Sequence, residues 1–290
     1  MYDKLEMQLR CFIDQVQLPQ DYLNTTEQYL LPLAAWIRQQ KQGKPLVVGI
    51  NGAQGTGKST MAAVLQLILE HQGYKVAVLS LDDFYWSHQQ RLELAAHVHP
   101  LFKTRGVPGT HDVALATSTI QQLIQGQGKV LIPRFDKQTD NPKAKHNWDV
   151  CESPVDIVLF EGWCVATPVQ KPGELIKAVN DLEAEADKKG IWRRYVNDRL
   201  NDEYRMLFSL LNRLIFLQAP SFEAVFDWRY QQEQQTFTNT VHYGMNKQQL
   251  SRFMAHYQRL TLQSLNKLPD IADVVLKLDN KQKISSSKYV

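Results

Sequence analysis

The residues best equipped for chemistry are Gly52-Ala53-Gln54-Gly55-Thr56-Gly57-Lys58-Ser59. They fit G-x-x-x-x-G-K-[ST], the phosphate-cradling P-loop motif. The apolar run Leu46-Val47-Val48-Gly49-Ile50 precedes them, and an amphipathic stretch from Thr60 to Leu69 follows. Strand, glycine turn and helix in that order make an anion site, because unpaired N–H groups and the positive end of the helix dipole converge on one place. The glycines permit positive φ and close backbone approach to phosphate oxygens. Gly52, Ala53, Gln54, Gly55, Thr56, Gly57, Lys58, Ser59 and Thr60 are therefore the expected ATP-binding set. Lys58 is expected to reach the β- and γ-phosphates, and the Ser59 hydroxyl to hold Mg²⁺.

Two acidic strand ends complete the catalytic candidates. Leu81-Asp82-Asp83-Phe84-Tyr85-Trp86 closes the second expected strand. Ligands of open α/β sheets bind at the carboxyl ends of strands. An acid there can face a γ-phosphate and accept the proton of an attacking hydroxyl. The same Asp-Asp pair also suits a strand-capping turn or a helix N-cap. Asp156-Ile157-Val158-Leu159-Phe160-Glu161-Gly162-Trp163 is an apolar strand ending in an acid, the Walker-B layout, in which Glu161 is the metal candidate. Asp156 lies at the wrong end of that strand. Lys103 to Asp112, with Arg105 and His111, and Pro133-Arg134-Phe135-Asp136-Lys137 are polar loops. Arginine forks suit a carboxylate or phosphate, so both loops fit a substrate site, and both also fit an ordinary surface.

The elements that must hold these residues read as an α/β fold. Continuous apolar runs at Lys75 to Leu81 and Val155 to Phe160 suit strands covered on both faces of a parallel sheet. Shorter strand candidates are Lys129 to Pro133, Arg213 to Leu217 and Asp273 to Leu278. Helical patterns occupy about 112–126, 174–211, 221–235 and 246–264, and two more fall within 1–42. The alternation predicts a P-loop-type three-layer sandwich with a mainly parallel sheet. Residues 1–44 are expected to be a helical extension packed on the core, 45–280 one domain, and 281–290 a flexible tail.

Bulk properties narrow the partners. The 290 residues carry 43% hydrophobic and 22% charged residues with a net charge of +3, which leaves no footprint for nucleic acid or a membrane surface. Cys11, Cys151 and Cys164 have no metal-ligand spacing, so reduced thiols are expected. The N-terminus lacks a leader pattern, and no apolar run approaches the ~20 residues of a spanning helix. A cytoplasmic protein is the expectation.

Together these motifs resemble the phosphoribulokinase/uridine kinase/pantothenate kinase superfamily of P-loop kinases, and within it the D-glycerate 3-kinase branch. The resemblance is carried by Gly52 to Ser59, Leu81 to Tyr85, Arg105 to Asp112, Ile132 to Lys137 and Leu159 to Trp163. Phe226-Asp227-Trp228-Arg229 and Met245 to Tyr257 continue it, so that it runs from about residue 45 to 280. It implies transfer from MgATP to D-glycerate, a small anionic hydroxy acid. Lys58 would stabilise the transferring phosphate, while Ser59 and Glu161 would organise the metal. Asp82 would be the general base, with Asp83 as runner-up. Asp83, Tyr85, Arg105, His111, Arg134 and Lys137 form the implied acceptor set. A lid arginine would come from Trp192-Arg193-Arg194 or Trp228-Arg229, with one of these pairs packed structurally. The sister activities use pantothenate, a nucleoside or a sugar phosphate, and a nucleotide-binding regulator without turnover is the other alternative. One departure stands out. The branch's Gly-Asp-Arg element is replaced by Gln138 to Trp148, a segment expected to face the acceptor, with Lys143, Lys145 or His146 as candidate substitutes.

Overall fold

The computed structural model describes residues 2–239 and 245–290. Met1 and residues 240–244, which fall in the expected extension and the expected main domain, lie outside the described residues. The chain opens with α1 (Tyr2–Gln15), α2 (Tyr22–Thr25), a π-helical turn (Thr26–Leu30) and α3 (Leu31–Gln40). Then come β1 (Leu46–Gly52), α4 (Lys58–His71), β2 (Val76–Ser80), α5 (His88–His97) and α6 (Val113–Gln125). Four short strands follow before the Glu161 strand: β3 (Gly128–Ile132), β4 (Phe135–Asp136), β5 (Asn141–Pro142) and β6 (Asp149–Ser153). The rest comprises β7 (Ile157–Gly162), α7 (Asp181–Ala186), α8 (Ile191–Asn201), α9 (Glu203–Phe208), β8 (Arg213–Gln218), α10 (Phe222–Asn239), α11 (Lys247–Lys267), β9 (Val274–Leu278) and β10 (Ile284–Tyr289).

The central sheet has the order β10-β9-β8-β1-β7-β2 and is parallel except for β10. Every residue of β1 and β7 is buried, as their unbroken apolar runs require. Leu5, Leu9, Leu33 and Ile37 of the N-terminal helices join Leu65 and Ile68 of α4 on one face of the sheet, over Val48, Leu159 and Ile215. On the other face Ile120, Leu123, Val196 and Leu207 cover Leu79, Phe160 and Phe216. This is the three-layer sandwich, and it aligns the carboxyl ends of β1, β2 and β7 at one rim.

Several expectations change. Lys129 to Pro133 does form a strand, but β3 pairs antiparallel with β6, away from the central sheet. The stretch 174–211 holds three helices rather than one, divided at Asp187 and again at Asp202. At the first break the Asp187 side chain is the cause. Its carboxylate accepts the N–H groups of Trp192 (2.9 Å) and Arg193 (3.1 Å) and so starts α8 afresh. The expected loose tail is instead β10, an antiparallel edge strand on β9. Asp279 makes that turn, accepting the N–H groups of Lys281 (2.8 Å) and Lys283 (2.9 Å).

Candidate active site

The P-loop joins β1 directly to α4. Gly57, the residue before the helix, has φ +80°, a conformation that favours glycine. Thr56 closes the loop on itself, its hydroxyl donating to the Ala53 carbonyl at 2.8 Å. The N–H groups of the first turn of α4 therefore face a cleft with the helix's positive end behind them.

That cleft holds about 410 Å³ and is lined by Lys58, Ser59, Asp82, Tyr85, Glu161 and Arg229, among others. Sheet register explains the convergence, since Glu161 lies beside Ser80 of β2 and Ile50 of β1. Glu161 is buried, with 3% of its surface exposed. Its Oε1 accepts the Ser59 hydroxyl at 2.8 Å, and its Oε2 lies 4.0 Å from Lys58 Nζ. Oε2 has no hydrogen-bond partner, a costly state for a buried carboxylate oxygen. A hard divalent cation between Ser59 and Glu161 would satisfy it, so the donor set fits Mg²⁺. Asp156, by contrast, sits at the opposite end of β7, accepts the Lys75 N–H and pairs with Lys41.

Asp82 stands in a 3-10 turn (Leu81–Phe84) capped by Ser80, whose hydroxyl accepts the Asp82 N–H. Its carboxylate receives Lys137 Nζ at 2.8 Å and the Tyr85 hydroxyl at 2.9 Å. Burial works to raise its pKa, but the charges of Lys137 and Lys58 and these hydrogen bonds hold it well below the usual carboxylate range. Asp82 is thus an ionised acceptor aimed at the P-loop.

Arg105 also lines the cleft. Its carbonyl accepts the Tyr257 hydroxyl at 2.9 Å, and the Gly106 carbonyl accepts Trp163 Nε1 at 3.0 Å. The loop that carries Arg105 is therefore clamped by α11 and by the residue that follows Gly162.

Three implied acceptor residues are not brought into this cleft. His111 is fully buried, stacked on the Tyr85 ring at 4.4 Å with Nδ1 2.5 Å from the Tyr204 hydroxyl. Burial pushes its pKa down to about 3, so it is a neutral core group, not a carboxylate receptor. Arg134 binds Asp83 at 2.7 Å and also Asp149, which occupies its guanidinium. Asp83 takes that bond and the Phe135 N–H, and so braces β4. Lys143, Lys145 and His146 are exposed and do not line the cleft. From that segment it is Asp140 that matters, through an ion pair with Arg105 at 2.5 Å.

The two arginine pairs divide. Trp192 is core, and Arg193 is buried on Asp187 and the Leu175 carbonyl. Trp228 is buried behind the P-loop while Arg229 reaches the cleft, held by Gln232 and Glu233. Trp163, Phe253 and Tyr257 also line the cleft. Trp163 follows the Glu161 strand directly, and Phe253 and Tyr257 belong to the segment Met245 to Tyr257 that continues the resemblance. A hollow of about 180 Å³ adjoins the P-loop between Tyr22, Thr60 and the β9–β10 turn. A larger groove between α7, α10 and α11 contains none of the P-loop, Asp82 or Glu161.

The profile of the methylmalonyl Co-A mutase-associated GTPase MeaB family matches residues 28–85, the segment that contains the P-loop. An uncharacterized kinase, mug58, of Schizosaccharomyces pombe is 32% identical over 225 residues, 74% of this chain and 79% of that protein. The chloroplastic D-glycerate 3-kinase of Arabidopsis thaliana is 27% identical over 79% of this chain, a match that spans only 52% of that longer protein. The D-glycerate 3-kinase structure from Cryptococcus neoformans shares the fold, with a TM-score of 0.74 at 22% identity over 90% of this chain and 98% of the other. With a P-loop, an ionised acid facing it and a buried glutamate beneath it, the chain belongs to the family of P-loop kinases that includes mug58.

Proposed function

We propose that this chain transfers the γ-phosphoryl group of MgATP to a hydroxyl of D-glycerate, giving 3-phosphoglycerate. The observation that carries the proposal is the placing of Asp82 between the P-loop lysine and two further cations, Lys137 and Arg105, in one cleft. Phosphoryl transfer depends on positioning and charge neutralisation more than on covalent chemistry. The N–H groups of the P-loop and Lys58 hold the phosphates, and the adjoining hollow takes the nucleoside end. Ser59 and Glu161 would hold Mg²⁺, which would supply charge neutralisation on the phosphates. Asp82 Oδ1 or Oδ2 accepts the hydrogen bond of the attacking hydroxyl. A carboxylate of such low basicity orients that hydroxyl early and takes its proton late, as suits a loose transition state. Lys137 and Arg105 receive the acceptor's carboxylate, and Arg229 covers the phosphates.

The test is ADP release from MgATP with and without D-glycerate, with NMR identification of the product. Strong stimulation with 3-phosphoglycerate formed supports the assignment. Stimulation by pantothenate, a nucleoside or a sugar phosphate instead would move the acceptor to a sister activity. ATP binding with no stimulation by any acceptor would favour a regulatory nucleotide binder.

A further inference from the structure

The turn between β4 and β5 starts with Lys137 and ends with Asp140. Asp136 closes it, accepting the Gln138 N–H and the Thr139 hydroxyl, both at 2.9 Å. At its far end Asp140 adopts φ +56°, a left-handed conformation that aspartate tolerates. Its carboxylate bridges two arginines: Oδ2 accepts Arg91 Nη2 at 2.5 Å and Oδ1 accepts Arg105 Nη1 at 2.5 Å. His88 Nδ1 lies 3.2 Å from Oδ2.

Arg91 is only 1% exposed. It is fixed by the Trp86 carbonyl (3.2 Å), the Lys103 carbonyl (2.7 Å) and the Asp140 carbonyl (3.2 Å). It thus ties α5, the Arg105 loop and the Lys137 turn to one another, and Asp140 is the group through which the tie reaches both cleft cations. Arg105 is held directly. Lys137 is held because a four-residue turn pinned at Asp140 leaves its first residue little freedom. Burial disfavours the charged form of Asp140, yet the hydrogen bonds from Arg91 and Arg105 keep its pKa below the ordinary value.

We infer that Asp140 is a positioning residue for the acceptor: it fixes the gap between Arg105 and Lys137 and sets the charge they present. This rests on the kinase reading above and narrows its acceptor class. Asp140 cancels one of the two arginine charges, Arg91 and Arg105, while Asp82 is shared between Lys137 and the P-loop lysine, Lys58. That balance suits a monoanionic carboxylate and penalises a phosphomonoester dianion. Within the segment Gln138 to Trp148, Asp140 supplies a carboxylate that orders an arginine of the cleft.

The experiment compares the full chain with Asp140→Asn, measuring ADP release with D-glycerate and with sn-glycerol 3-phosphate as the dianionic probe. ATP affinity is measured by calorimetry without acceptor. Asp140→Asn should raise the KM for D-glycerate about tenfold or more, with kcat changed less than about threefold and ATP affinity unchanged. The preference for the monoanion over the dianion should fall about tenfold, a ratio that general loosening of the fold would not move. An unchanged KM and ratio, or parallel losses for both acceptors and ATP, would overturn the inference. If Asp140→Asn does not fold, Asp140→Glu carries the test: it keeps the charge, so KM should rise with the ratio preserved, and an unchanged KM overturns the inference. Failure of the wild-type chain to respond to any acceptor would remove the kinase reading and this inference together. A responsive wild type with an unaffected Asp140→Asn would remove this inference alone.

Discussion

Gly106→Ala should be among the most damaging single-methyl additions in this chain. Gly106 has φ +138°, where L side chains are rarely found. A Cβ there would stand 2.2 Å from the Tyr257 hydroxyl and 2.5 and 2.6 Å from ring carbons of the same residue. Tyr257 has little room to yield, being 3% exposed and packed against Trp163 and Phe253 with ring centroids 4.8 and 5.1 Å away. Backbone strain of this kind costs about 1–3 kcal/mol. Losing the Tyr257 hydrogen bond to the Arg105 carbonyl adds about 0.5–1.5 kcal/mol. The expected loss is therefore about 2–4 kcal/mol, or roughly 3–7 °C in Tm for a chain of this size. Urea unfolding measures it, with Gly173→Ala as control, since no atom lies within 4 Å of the Cβ there. That control should stay within about 0.5 kcal/mol of wild type. Because the clash is relieved by moving the Arg105 loop, the acceptor KM should rise at least tenfold while the ATP KM holds. Wild-type stability together with a normal acceptor KM in Gly106→Ala would refute the argument that Tyr257 clamps this loop.

Asp82→Asn should lower kcat by about 10²–10⁴ with little change in ATP KM, and near-normal turnover would remove Asp82 from the base role. Because Asp82 is held below the ordinary carboxylate range, kcat/KM should show no acid limb from it between pH 7 and about pH 5. Arg229→Ala should cut turnover with little change in Tm. Arg193→Ala should instead destabilise by about 3–5 kcal/mol, since it leaves the buried Asp187 without its counter-charge; equal effects of the two on turnover would contradict this division. His111 titrates near pH 3 when folded and near pH 6.5 in an unfolded chain. Between these values only the unfolded chain binds the proton, so stability held above about pH 6.5 is lost on acidification by about 1.4 kcal/mol per pH unit. His111→Gln should flatten the urea-measured slope between pH 6 and 4.5 by about that amount, and an unchanged slope would place the titration elsewhere.

What the sequence made legible was local. The P-loop, Asp82 and Glu161 each belong to a strand end and its turn, where residue type and neighbours nearly determine geometry. The Arg105–Tyr257 bond spans 152 positions and the Arg105–Asp140 pair 35, and no short window of sequence carries such contacts. His111 and Arg134 were misplaced for a related reason. Polar residues in loops read as solvent-facing, yet Tyr85 covers His111 and Asp83 turns Arg134 aside. The helix α5 was missed although Ser87 and Gln90 form a reciprocal cap, because its face buries little apolar surface. Serines 285–287 read as a loose tail because exposed edge strands carry no hydrophobic alternation.

That edge strand has a consequence for solubility. β9 is an apolar run, Val274-Val275-Leu276, whose outer N–H and C=O groups would be a template for another chain if left open. β10 occupies them with Ser286, Ser287 and Lys288, side chains that present hydroxyls and a charge to solvent instead of another pairing surface. Ending the chain at Asn280 would remove from the apolar packing only Ile284 and the Tyr289 ring beside Trp36, yet it would uncover a short aggregation-prone strand. Light scattering on gentle warming should therefore separate this truncation from the intact chain well before their unfolding curves diverge.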